Sequence, residues 1–193
     1  MAHRALTNGE IALAKTVFGD SIDYACVQLH DRRVLPAFLQ KKGRAMAYLN
    51  KISFPGEGYR DDFSKDADPV VQSLFIHELA HVWQHQNKVL DTRAAFVRGM
   101  LRHKFHYAQA YAHRLEKGKD LTDYGMEQQA CIIQDYFMLS RFGLSNSHRN
   151  ARRNAAGENL KALYEGVLGR FLKNPSYARK KSKPPVRKGP GAG

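Results

Sequence analysis

The chain has 193 residues, 43% of them hydrophobic and 25% charged, which is the profile of a globular protein with one core rather than of a disordered or fibrous chain. No apolar run is long enough to cross a membrane as a helix, and the N-terminus has no apolar core of the classical signal-peptide kind. The formal net charge is +13, and seven of the 31 Lys and Arg residues lie from Lys173 onward, in a stretch without an acid.

The predicted elements, in chain order, mix helices and strands without alternating them. Thr7-Asn8-Gly9-Glu10 reads as a capping box for a helix through Ile11 to Phe18, which Gly19 ends. Val27 to His30 alternates like a short strand, and Arg44–Tyr48 with Lys51–Phe54 reads as a hairpin turning near Leu49-Asn50. Pro55 to Gly58 is a loop. Asp68-Pro69 is a strong helix start, with Asp as the cap and Pro in the first turn, and that helix runs to Gln86. A second helix is expected from Asp91 to Met100, a strand or ordered loop from Phe105 to His113, and a turn at Glu116–Lys119. Asp123 is expected to cap a helix from Tyr124 to Arg141 that Gly143 closes. A last helix, from Glu158 to Lys173, carries its apolar residues at Leu160, Leu163, Tyr164, Val167, Leu168 and Phe171, which lie on one face. This order predicts an α+β fold, with a small antiparallel or mixed sheet, one domain over residues 1–174 and a disordered basic tail over 175–193. Cys26 and Cys131 are too few and too far apart for a disulfide framework, and each is expected to be a buried free thiol.

The stretch that carries chemistry is Phe75-Ile76-His77-Glu78-Leu79-Ala80-His81-Val82-Trp83-Gln84, which contains H-E-x-x-H, the zincin signature. Residues four apart on a helix share a face, so His77 and His81 can offer ring nitrogens to one Zn²⁺. Glu78 lies one residue too far round to join them, but it can take a proton from a water on the metal. The flanks are apolar on nearly every side, so the helix should be buried, and two imidazoles and a carboxylate inside such a helix need a metal or close partners.

A catalytic zinc needs a third protein ligand. His85 lies about 12 Å along the helix from His77 and cannot share its ion. A third histidine at the metzincin spacing would fall on Asn87, which does not supply one. Glu127 is the preferred candidate, because its helix has apolar positions to pack against the motif helix; Asp123 and Glu116 are the other candidates. Tyr124, His106 and His113 are the candidates for steadying an oxyanion.

The segments His77-Glu78-Leu79-Ala80-His81-Val82-Trp83-Gln84-His85-Gln86 and Asp123-Tyr124-Gly125-Met126-Glu127-Gln128-Gln129-Ala130 resemble the two signatures of bacterial Vgr-related proteins. These are similar to metallopeptidase effector domains found at the C-terminus of VgrG-type spikes and in Rhs-type toxins of type VI secretion. The resemblance covers roughly residues 5 to 140. It implies a zincin-like, specifically gluzincin-like, fold. It also implies Zn²⁺ on His77, His81 and Glu127, with Glu78 as the base that assists attack of zinc-bound water on a peptide bond. It further implies an antibacterial effector held in the bacterial cytoplasm before delivery and acting in a target cell's periplasm, with a spike component and an immunity protein as partners; nucleic acid is not an expected partner. Many gluzincins place an Asp four residues after the ligand Glu; here that position is Cys131, and Asp135 is the acid that could stand in. Two other functions fit the residues: an adaptor that binds secretion machinery or an anionic surface, and a hydrolase of peptidoglycan peptides, whose anionic polymer the positive charge would suit.

Overall fold

A computed structural model describes residues 3–36, 40, 43–90, 111–143 and 159–179. α1 (Asn8–Phe18) begins with the expected capping box: the Glu10 N–H donates to the Thr7 hydroxyl at 3.1 Å, and the Thr7 N–H donates to the Glu10 carboxylate at 2.9 Å. Four short strands follow the order β1 (His3–Arg4), β2 (Gln28–His30), β3 (Met46–Tyr48) and β4 (Lys51–Ser53). In space they lie β1-β2-β4-β3. β1 is antiparallel to β2, β2 parallel to β4, and β3 antiparallel to β4, so the sheet is mixed. The β3–β4 hairpin turns at Leu49-Asn50, where Leu49 takes a φ of 56° as a tight two-residue hairpin turn requires. β1 was not visible in the sequence, because two residues carry no period.

α2 (Pro69–Gln86) has the expected bounds. Asp68 Oδ1 accepts the Val70 N–H at 2.8 Å, and Pro69 occupies the first turn. Phe75 to Ala80 and Val82 to Gln84 are buried without a break, so the helix runs through the core. One flank is an aromatic stack, Phe54 on Phe63 on Phe75, with centroids 4.3 and 5.1 Å apart. Toward its C-terminal end Trp83 meets Phe171 edge-on at 5.1 Å.

α3 (Met126–Phe142) packs chiefly on α2, and α4 (Leu160–Lys173) packs on α3. Both begin about two residues later than the sequence suggests. Asp123 does not cap α3; its Oδ2 accepts the Asp120 N–H at 2.8 Å and closes a 3₁₀ turn over Leu121–Asp123. Asn159 caps α4 by accepting the Ala162 N–H at 3.3 Å. The described residues thus form an α+β arrangement of four α-helices and one small mixed sheet.

Packing continues past residue 174. The Trp83 indole N–H donates to the Pro175 carbonyl at 2.9 Å, the Tyr177 hydroxyl to Asp120 at 2.6 Å, and the Arg179 Nε to Asn87 Oδ1 at 3.0 Å. The helix expected over 91–100, residues 105–110 and the tail from 180 lie outside the described residues. The cysteines are free, but Cys26 is exposed rather than buried, and its thiol donates to Asp23 at 3.0 Å. No described helix is long and apolar enough to cross a membrane.

Candidate metal centre

α2 and α3 bring three side chains from two parts of the chain to one point. His77 and His81, one turn apart on α2, direct their Nε2 atoms toward Glu127 in the first turn of α3. The Nε2 to Glu127 Oε2 distances are 3.5 Å from His77 and 3.3 Å from His81. Ligands held at about 2.0–2.1 Å around a tetrahedral ion lie roughly 3.3 Å from one another, so this spacing is that of a coordination edge. Glu127 Oε2 is buried, and the ring nitrogens of His77 and His81 are the groups it faces among the described residues. Two imidazole nitrogens and one carboxylate oxygen are the donor set of a His₂Glu site, and among the described residues this is the one His/Cys/Asp/Glu group placed to hold a metal.

The remaining ring nitrogens are also engaged. His77 Nδ1 is 3.0 Å from Gln134 Oε1, and His81 Nδ1 is 2.9 Å from Gln84 Oε1. The ring of Tyr111 lies over His77 with centroids 6.2 Å apart and planes 23° from parallel.

Charge in the pocket is mutually supporting. Burial opposes the charge on His81, but Glu127 and Glu78 outweigh it and push its pKa up to about 9 from the 6.5 of an unperturbed histidine. Burial likewise opposes the charge on Glu127, yet His81 and His77 hold its pKa well below the usual carboxylate range. Glu78 differs. Burial raises its pKa against the opposing pull of His77 and His81, and the Ala47 backbone N–H on β3 supports its charged form. Its Oε2 is buried without a hydrogen-bond partner among the described residues, so one oxygen is left to act on a proton. A carboxylate with a raised pKa beside a metal-type donor set is what a general base at neutral pH needs.

The other sequence candidates fall elsewhere. Asp123 serves its 3₁₀ turn, and Glu116 pairs with Lys119 at 2.8 Å. His85 is half-buried in the last turn of α2, outside the cluster. The Tyr124 hydroxyl binds the 114–116 turn, accepting from the Glu116 N–H at 3.0 Å and donating to the Arg114 carbonyl at 3.3 Å. His113 is buried with its Nε2 3.6 Å from Asp135, which accepts the Tyr164 hydroxyl at 3.1 Å. His106 lies outside the described residues. Asp135 therefore faces His113 and Tyr164, and the residues that meet the outer ring nitrogens of the motif histidines are two glutamines. Sequence reading missed Gln84, Gln134 and Tyr111. The only available signal was that Gln84 and Gln134 are polar residues inside otherwise apolar helical stretches.

Fold and site together define an α+β domain with a candidate metal centre between two core helices. No family model matches the chain. It is similar to the solved effector domain of Pseudomonas aeruginosa VgrG2b, at 39% identity and a TM-score of 0.63, over 88% of this chain and 82% of that one. It is also 46% identical over 151 residues to the type VI secretion system spike protein VgrG2b of Pseudomonas aeruginosa; the match takes in 76% of this chain but only 14% of that protein's length. The chain belongs to the family of VgrG2b effector domains.

Proposed function

We propose that the protein is a zinc-dependent metallopeptidase of zincin-like fold, delivered by type VI secretion as an antibacterial effector. The observation that carries the reading is the convergence of His77, His81 and Glu127 at coordination spacing, with the partnerless carboxylate oxygen of Glu78 beside them. Zinc held by the three residues would supply Lewis acidity and lower the pKa of a water there toward about 7. Glu78 would take a proton from the attacking water and pass it to the leaving amine. The Ala47 backbone N–H on β3 favours the charged form of Glu78. Among the described residues β3 is an edge strand of the sheet, and an extended peptide added there by main-chain hydrogen bonds would suit a peptide substrate.

Delivery is inferred from the relative that is a type VI secretion spike protein. A VgrG-type spike is then the carrier, the target cell's periplasm the place of action, and an immunity protein the producer's safeguard.

The test is elemental analysis joined to activity. Purified protein should carry one zinc per chain, and His77→Ala, His81→Ala and Glu127→Ala should each lose it. Full zinc in any of the three removes the site. Release of peptides from casein, compared with release from isolated cell wall, separates a peptidase from a hydrolase of peptidoglycan peptides.

A further inference from the structure

The Nδ1 atoms of the two motif histidines meet neutral amides, and the hydrogen bonds behind those amides decide which way each one faces. The Gln84 NH₂ donates to the Met126 carbonyl at 2.8 Å and to Gln129 Oε1 at 3.0 Å. Both partners only accept in this arrangement, because the Gln129 NH₂ is itself committed to the Tyr124 carbonyl at 2.7 Å. The oxygen of Gln84 is therefore the atom that faces His81 Nδ1, at 2.9 Å. Gln134 is set in the same way. Its NH₂ donates at 3.1 Å to the Ser73 hydroxyl, whose proton goes to the Val70 carbonyl at 2.9 Å. Its oxygen then faces His77 Nδ1 at 3.0 Å. An amide oxygen cannot donate, so each Nδ1 must carry a proton and each Nε2 is left to face Glu127.

We propose that Gln84 and Gln134 are positioning residues that place a proton on Nδ1 of His81 and His77 and so reserve both Nε2 atoms for metal. The proposal rests on the metal-centre reading above. Both amides draw their orientation from the α2–α3 packing: Gln84 anchors to the first turns of α3, which carry Glu127, and Gln134 reaches from α3 back to Ser73 on α2. The three ligands are thus oriented by the contact that brings them together, before any ion arrives. Neutral amides orient the rings without adding negative charge, whereas carboxylates in these places would make the imidazoles more basic ligands.

The deciding variants are Gln134→Met, which keeps the length and removes the acceptor, and Gln134→Glu, which keeps an acceptor facing His77. Gln134 is only half-buried, so both should fold. Gln72→Met is the control: Gln72 is a buried glutamine of α2, bonded to the Asp66 carbonyl at 2.8 Å and remote in its contacts from the two histidines. Zinc affinity by chelator competition should fall about 10–100-fold in Gln134→Met, stay within about threefold of the parent or tighten in Gln134→Glu, and be unchanged in Gln72→Met. Nitrogen-15 NMR of the metal-free protein should show both rings protonated at Nδ1, with that proton lost in part from His77 in Gln134→Met. Parent rings protonated at Nε2 alone, or a Gln134→Met protein with the parent's zinc affinity and ring protonation, would overturn the proposal. A parent that binds no zinc would count against the metal reading, while its ring spectrum would still decide the role of the amides.

Discussion

Glu78, buried, and Glu127, half-buried, are carboxylates beside the same two histidines, yet their surroundings push them in opposite directions. Glu127 is held charged by the imidazoles it faces, whereas burial raises Glu78 and leaves one of its oxygens without a partner. This separation predicts separable mutants. Glu78→Gln should keep its zinc and its melting temperature, because the amide fits the same space, while peptide release falls by at least about 10²-fold. If the protein is a toxin, the growth defect on directing it to the periplasm should vanish with it. A fully active Glu78→Gln protein would put the adaptor reading ahead; one that has lost zinc would mean that Glu78 is a ligand. The His81–Glu127 pair predicts a pH response of the metal-free protein. The pKa of His81 lies above its unfolded value, so its contribution to stability is complete below pH 6.5 and is lost as pH rises through about 9. The pKa of Glu127 lies below its unfolded value, so its share is present above about pH 4.5 and is lost on acidification. Thermal melts of the chelated protein should therefore decline between pH 6.5 and 9, and zinc, which replaces the proton between the two groups, should flatten that decline. Equal slopes with and without zinc would contradict the placement of the ion there.

At the scale of elements, the N-terminal segment is tied to the loop before α2 by one buried carboxylate. Glu10 is fully buried in α1, accepts Arg4 of β1 through two hydrogen bonds of 2.7 and 2.8 Å, and also takes the backbone N–H of Thr7 and of Phe63, each at 2.9 Å. Phe63 sits in the middle of the aromatic stack on α2, so this knot holds the flank of the motif helix. Removing one partner of such a buried pair strands the other, at a cost of about 3–5 kcal/mol. Glu10→Ala should lower stability by that order in denaturant unfolding, while zinc affinity per folded molecule stays near the parent's. A change below about 1 kcal/mol would mean that water replaces the carboxylate, and that the knot contributes little.

At the scale of the molecule, the excess positive charge and the folded body are unequally distributed. Much of the +13 lies in the C-terminal stretch, but the first residues of that stretch are part of the packing. Arg170 lies 4.7 Å over the Tyr177 ring, Tyr177 bonds Asp120, and Arg179 reaches Asn87 at the end of α2. A chain ending at Arg179 should melt as the full chain does, since residues 180–193 are Lys, Arg, Pro, Gly and little else to bury. A chain ending at Lys173 should melt several degrees lower, because it loses these contacts and the acceptor of the Trp83 indole. Equal melting of the two truncated chains would show that the segment from 174 to 179 adds nothing to the body.

The parts legible in the sequence were those governed by local rules. The capping box at Thr7, the Asp68-Pro69 start and the i, i+4 spacing of His77 and His81 each depend on a single turn, so α1, α2 and two of the three clustered side chains could be read directly. Glu127 could be preferred over Asp123 and Glu116 but not isolated from them, because its place depends on the angle and register at which α3 meets α2. The starts of α3 and α4 slipped by about two residues: Asp123 is taken up by the 3₁₀ turn with Asp120, and the cap of α4 is Asn159, one residue after the expected start. The amide supports were beyond reach. Gln134 is 57 residues from His77, and a glutamine in an apolar helix reads as an ordinary buried polar residue until packing shows what its amide faces. Sequence thus determined the helix that presents two histidines and the glutamate beside them. Tertiary packing decided which carboxylate joins them and which groups hold the rings, because both follow from the contact between two helices far apart in the chain.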